Sequence, residues 1–171
     1  MVSTTVLDIL AYGHILSAMG WLGGGILNAF VIGPSLRSVT SSASLEFNVK
    51  VLPQIIRFVQ VMIGTTFIFG ILLYYFDFSG SFSTLSSTMQ GMELDFGIVL
   101  ALVTAVIVWS VTIPSFKKIS KIANDLLKGG QHTPPPEFAK YGKRAMIGSL
   151  VGIVLLLVVL AMMVAAGFVP Y

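Results

Sequence analysis

The stretch Ala145-Met-Ile-Gly-Ser-Leu-Val-Gly-Ile-Val-Leu-Leu-Leu-Val-Val-Leu-Ala-Met-Met-Val-Ala-Ala-Gly-Phe-Val169 decides the fold class. It carries no charge, and as a helix rising about 1.5 Å per residue it is long enough to cross the ~30 Å hydrocarbon core of a bilayer. Its run from Val151 to Val159 lacks the polar alternation of a barrel strand. Since backbone N–H and C=O groups cannot be left unpaired in lipid, a helix is the only sensible reading. Three more apolar blocks lie outward from it, at about Val6 to Ile32, Val51 to Phe76 and Phe96 to Ile113. The expectation is an all-α integral membrane four-helix bundle, one domain over residues 1–171. Composition agrees: of 171 residues 56% are hydrophobic and 10% charged, against the roughly 25% charge of a soluble domain. The mean hydropathy is +0.93.

Every basic residue falls in one of two places. Arg37, Lys50 and Arg57 surround the first connector, and Lys117, Lys118, Lys121, Lys128, Lys140, Lys143 and Arg144 the third. The amino terminus with Asp8, the second connector with Asp77, Glu93 and Asp95, and the carboxyl terminus have none. The positive-inside rule then places both termini and the second connector outside a cell membrane, with the basic connectors in the cytoplasm. The net charge of +3 reads as a topological signal and as contact with anionic headgroups, so no nucleic-acid partner is expected. The first residues lack a basic n-region, so no cleaved signal peptide is expected and the first helix stays in the mature protein.

The connectors differ in kind. Ser35 to Ser44 is serine-rich and reads as a short interfacial segment, and Asp77 to Asp95 is read without regular structure, its Phe78, Phe82, Leu85 and Met89 covering the outer mouth of the bundle. From Phe116 to Lys128 the apolar residues Phe116, Ile119, Ile122, Ala123 and Leu126 recur at helical spacing against lysines, which predicts a cytoplasmic amphipathic helix on the membrane surface or docked on the first connector. Gly129 and Gly130 stop it, and Pro134 to Pro136 form a stiff turn. A faint repeat is also visible. Helix one ends Ile32-Gly-Pro34-Ser35-Leu-Arg37 and helix three Ile113-Pro114-Ser115-Phe-Lys117, while helices two and four share Met-Ile-Gly at Met62 and Met146. This suggests two hairpins of the same sense related by an axis along the membrane normal.

Chemistry-bearing side chains are few: two histidines, seven acids and no cysteine. Disulfides, iron–sulfur clusters, thiolate zinc and c-type haem attachment are excluded, and no phosphate loop, metalloprotease motif, nucleophile triad or dinucleotide fingerprint appears. Helix one is the unusual segment. His14, Ser17, Ala18, Trp21, Gly24, Gly25 and Asn28 share one face, and a polar, small-residue stripe in lipid should face protein or let a flat ligand approach the backbone. An ionisable group at membrane depth is costly and usually functional. A neutral His14 can satisfy a neighbour, relay protons, or ligate a metal or haem iron, and the residues alone leave these open. His132 sits in the proline-rich connector, so a second axial ligand must come from elsewhere. Met162 and Met163, which reach the depth of His14 on helix four, are candidates as well as ordinary core filler. Arg57, one turn from Gln60, either snorkels to lipid phosphate or clamps a carboxylate such as a haem propionate. Trp109 and Ser110 line the interior or mark the interface.

The string His14-Ile-Leu-Ser-Ala-Met-Gly-Trp21-Leu-Gly-Gly-Gly25, followed by Val31 and Pro34, resembles the first-helix signature of the copper-resistance D-like membrane proteins, a group that includes the four-helix, haem-associated protoporphyrinogen oxidases of the HemJ type. The resemblance covers about 25 residues and is topological beyond them. It implies a helical bundle with His14 facing an internal site, in some relatives a b-type haem, with Trp21, Gly23 and Gly24 as the adjoining signature. The chain has neither a second intramembrane histidine nor the extra spans of copper-transporting members. The resulting expectation is a small multi-pass protein binding haem b, with copper as the alternative, through His14 for electron transfer or metal handling. The rival is a non-catalytic accessory subunit without cofactor, which docks other membrane subunits or its own copies through the helix-one stripe and Gly148 and Gly152.

Overall fold

The computed structural model describes residues 3–77 and 89–168. Its elements are α1 (Thr4–Ile26), a π-helical turn (Leu27–Ile32), α2 (Gly33–Ser38), α3 (Ser41–Lys50), α4 (Leu52–Asp77), α5 (Met89–Ile107), a second π-helical turn (Val108–Thr112), α6 (Ile113–Lys128) and α7 (Pro136–Phe168). Four continuous helical rods result, each apolar and long enough to cross a membrane: Thr4–Ser38, Ser41–Phe76, Gly91–Lys128 and Pro136–Ala165. The protein is an all-helical, multi-pass membrane protein. The third rod has 38 residues, about 57 Å of helix, so it passes well beyond a ~30 Å core.

The rods run past the ends drawn from hydropathy for local reasons. Pro34 does not terminate the first helix. A proline lacks the N–H that the carbonyl four residues earlier needs, and its ring crowds that carbonyl. The chain answers by widening the preceding turn to π geometry, in which Gly33 N–H donates to Asn28 O and Ser35 Oγ donates to Val31 O at 2.7 Å. The same solution precedes Pro114, where Ile113 N–H donates to Val108 O and Ser115 Oγ donates to Val111 O at 2.6 Å. Ser35 to Ser44 is helical on both sides of Val39 and Thr40. Its first part completes α2, and Thr40 caps α3 by accepting from Ala43 N–H at 3.3 Å. Part of the second connector is likewise helical, since α5 begins at Met89. Phe78, Phe82 and Leu85 lie outside the described residues.

Two antiparallel hairpins make the bundle, α1 with α4 and α5 with α7. Both close on glycines four residues apart: Gly20 and Gly24 meet Met62, Val59 and Phe58, and Gly148 and Gly152 meet Thr112, Val108 and Thr104. Tyr74 Oη donates to Asp95 Oδ1 at 3.3 Å, which links α4 to α5 at the acidic end. The hairpins join through α1 against α7 and, at the basic end, α6 against α3 and α4. One core runs through both, with Trp21, Leu52, Ile56, Ile63, Ala105, Val108, Ile113, Ile119 and Ala145 buried. The amphipathic stretch is thus a rigid extension of the third rod, docked on the first connector with Ile119 and Ala123 inside beside Leu45 and Asn48. Its end is fixed by Gly130 at φ 66°, with Gly130 N–H donating to Leu127 O at 3.2 Å and Gln131 N–H to Leu126 O at 2.9 Å.

Candidate functional site

His14 lies on α1 against α4, half-buried, with Nδ1 2.9 Å from the backbone oxygen of Thr66. Gly70 makes that approach possible. A Cβ there would stand 2.8 Å from His14 Cε1 and 2.9 Å from Nδ1, inside contact distance. A carbonyl oxygen only accepts, so Nδ1 carries the proton and donates, and the Nε2 lone pair is left as acceptor or ligand. Among the described residues Nε2 has no hydrogen-bond partner. This is the arrangement in which a ligating histidine is oriented by a backbone carbonyl behind it.

The other residues singled out in the sequence separate into three groups. His14, Trp21 and Gly24 share the α1–α4 seam: Trp21, 3% exposed, meets Phe67 with ring centroids 6.1 Å apart and planes tilted by 49°, and Gly24 faces Val59 and Phe58. Side chains of α4 therefore occupy the glycine face. Met162 and Met163 are turned to Gly97 of α5, within the second hairpin. Their depth matches His14, because Gly25 meets Ile153 and the antiparallel register carries His14 to the level of Val164. Arg57 is exposed, nine residues before Thr66 and so about 13 Å along α4 from the imidazole. Trp109 is 46% exposed and faces outward, and Ser110 Oγ bonds to Val106 O within its own helix. Ser17 also bonds within its helix, to Gly13 O at 2.7 Å, and does not cross to a neighbour. Among the described residues no three His, Cys, Asp or Glu side chains gather as a metal site.

A second polar locus was not recognised in the sequence. A cavity of about 50 Å³ lies between the hairpins toward the basic end, walled by Trp21, Leu52, Ile56, Val108 and Phe116 and carrying the polar side chains of Asn28, Thr112 and Ser149. It does not reach His14. Thr112 is 6% exposed, and among the described residues its Oγ1 has no partner. Thr66, Thr104 and Ser115 donate to the carbonyl four residues back, whereas Thr112 stands in the π turn, where Val108 O accepts from Ile113 N–H and the threonine hydroxyl makes no bond to it. The repeated aliphatic-Pro-Ser signal marked the place without revealing the orphaned hydroxyl. No family model, no curated protein and no solved structure matches this chain.

Proposed function

We propose that this membrane protein binds a b-type haem through Nε2 of His14 and serves one-electron transfer within the bilayer. The observation that carries the reading is the His14 Nδ1–H donated to Thr66 O, which fixes the tautomer and ring plane and leaves Nε2 free. One histidine fits one axial position. Haem iron, when bound, supplies a one-electron couple whose potential follows from its axial ligands and its burial. The chain's part is to hold the imidazole: α4 orients it through a carbonyl, and Gly70 keeps the space it needs. The internal cavity stops short of His14, so α1 and α4 are the elements that would hold the group. A further ligand would come from Met162 or Met163, which lie at the depth of His14 and pack on Gly97, or from a neighbouring copy or subunit. Copper is the alternative occupant of the same imidazole, and the first-helix resemblance to copper-resistance D-like and HemJ-type proteins supports a metal-related role. The distribution of Lys and Arg supports an orientation with both termini outside the cell membrane.

Absorption spectroscopy on protein purified from haem-replete cells tests the reading. The expected result is a Soret band that shifts on reduction and is lost in His14→Ala while the variant remains monodisperse. A parent chain that is colourless, free of metal and unable to take up added haem overturns it. The second reading, a cofactor-free accessory subunit, is favoured by one observation, that α4 side chains fill the glycine face of α1. It predicts the colourless outcome together with co-purification of a membrane partner.

A further inference from the structure

Lys140, Lys143 and Arg144 stand at spacings of three and four on α7, hence on one helix face, and Ile147 and Val151 continue that face toward mid-membrane. Ile107 and Val111 of the third rod come alongside, and the seven residues with Gly148 line a groove of about 400 Å³ open to the surface. Gly148 sets its floor, because a Cβ there would lie 2.5 Å from Thr112 Oγ1 and the two rods could not approach so closely. The groove is cationic at one end and apolar at the other. All three cations are exposed, and none has an ion-pair partner among the described residues, although Glu137 lies one turn before Lys140. Among the described residues no carboxylate lines the groove. The charge-free stretch begins at Ala145, so the cations sit where hydrocarbon gives way to headgroups.

We propose that this groove is a binding site for an anionic phospholipid, its phosphate held by Lys140, Lys143 and Arg144 and the upper part of one acyl chain laid along Ile107, Val111, Ile147 and Val151. Charge complementarity selects the headgroup, since three unpaired cations at a bilayer boundary attract a net negative lipid and gain little from a zwitterionic one. Length selects the chain. From Lys140 to Val151 the groove runs eleven residues, about 16 Å of helix, enough for a phosphate and most of the upper half of an acyl chain. Arginine adds planar, two-pronged recognition of phosphate oxygens that lysine lacks.

The test is native mass spectrometry of the full chain, released from detergent containing equal phosphatidylglycerol and phosphatidylcholine of identical acyl composition. The expected spectrum shows phosphatidylglycerol retained in preference to phosphatidylcholine. Replacement of the three cations by Lys140→Gln, Lys143→Gln and Arg144→Gln together lowers that retention by at least about tenfold. The charge-matched control, Lys117→Gln with Lys118→Gln and Lys121→Gln, leaves it within about twofold, because α6 lies outside the groove. Ile147→Trp, at an exposed position that tolerates a larger ring, fills the apolar end and lowers retention with charge unchanged. Equal retention of the two lipids by the parent overturns the proposal. So does equal loss in the two charge variants, which would mean general surface attraction, and so does an unaltered spectrum for Ile147→Trp.

Discussion

At the scale of the residue, two buried threonines of the third rod differ in whether the hydroxyl bonds back to its own helix. Thr104 and Thr112 are both buried, yet Thr104 Oγ1 donates to Leu100 O at 2.7 Å while Thr112 Oγ1 has no partner among the described residues. Replacing an unpartnered buried hydroxyl by an isosteric methyl removes a desolvation cost of about 1–3 kcal/mol. Thr112→Val should therefore raise stability by about 1 kcal/mol in reversible detergent unfolding, and Thr104→Val should change it by less. Destabilisation by Thr112→Val would mean that the cavity supplies a partner to the hydroxyl. Gly70 carries the complementary prediction. A methyl there would stand within 2.9 Å of the imidazole, so Gly70→Ala should push His14 off the Thr66 carbonyl and cost about 1–3 kcal/mol. The same variant should shift or abolish the Soret band under the haem reading. A band unchanged in position and intensity would show that the carbonyl contact does not hold the ligand.

At the scale of the element, prolines and glycines set lengths in ways that ordinary helix rules only half anticipate. Pro34 and Pro114 stand inside continuous rods because a π turn precedes each and a serine hydroxyl follows to bond the helix again. Gly130 does end a helix, since its φ of 66° is one that a side chain resists. Gly130→Ala should strain or open the two hydrogen bonds that close α6, at a cost of about 1 kcal/mol. The measurement is amide exchange, expected to quicken at Gly130 and Gln131 and to stay unchanged in α1. Uniform exchange across both sites in parent and variant would show that the turn does not rest on the glycine.

For the whole molecule, the two hairpins share one core, and the basic connectors meet at one end where α3, α4 and α6 pack together. A bundle of this kind crosses the bilayer as a unit, so orientation is a single binary property. With every Lys and Arg at that end, the positive-inside rule predicts that a cysteine at Ser3 or Ser83 reacts with an impermeant reagent in intact cells and one at Gln131 does not. Labelling of Gln131 from outside would invert the whole assignment. An unlabelled Gln131 that becomes reactive after permeabilisation is the expected result.

The four spans and the stop at Gly130 were legible in the sequence because each is written in consecutive residues: length without charge, and a residue free to take positive φ. The Pro-Ser segments read there as helix ends, whereas Pro34 and Pro114 stand inside continuous rods. Only the tertiary structure decided what each helix face meets. In a soluble helix the core side is marked by contrast with a polar side, but here lipid and protein interior are both apolar, and Ile15, Leu16 and Met19 are exposed while Leu10 and Trp21 are buried. His14 could be recognised as costly, yet its partner is a backbone carbonyl 52 residues away, and no side-chain pattern encodes a carbonyl. Likewise the unpartnered Thr112 lies in a widened turn, and the groove comes from two rods that approach each other because Gly148 has no Cβ. These arise from packing in three dimensions, where van der Waals fit between apolar surfaces chooses the neighbours that hydropathy leaves undetermined.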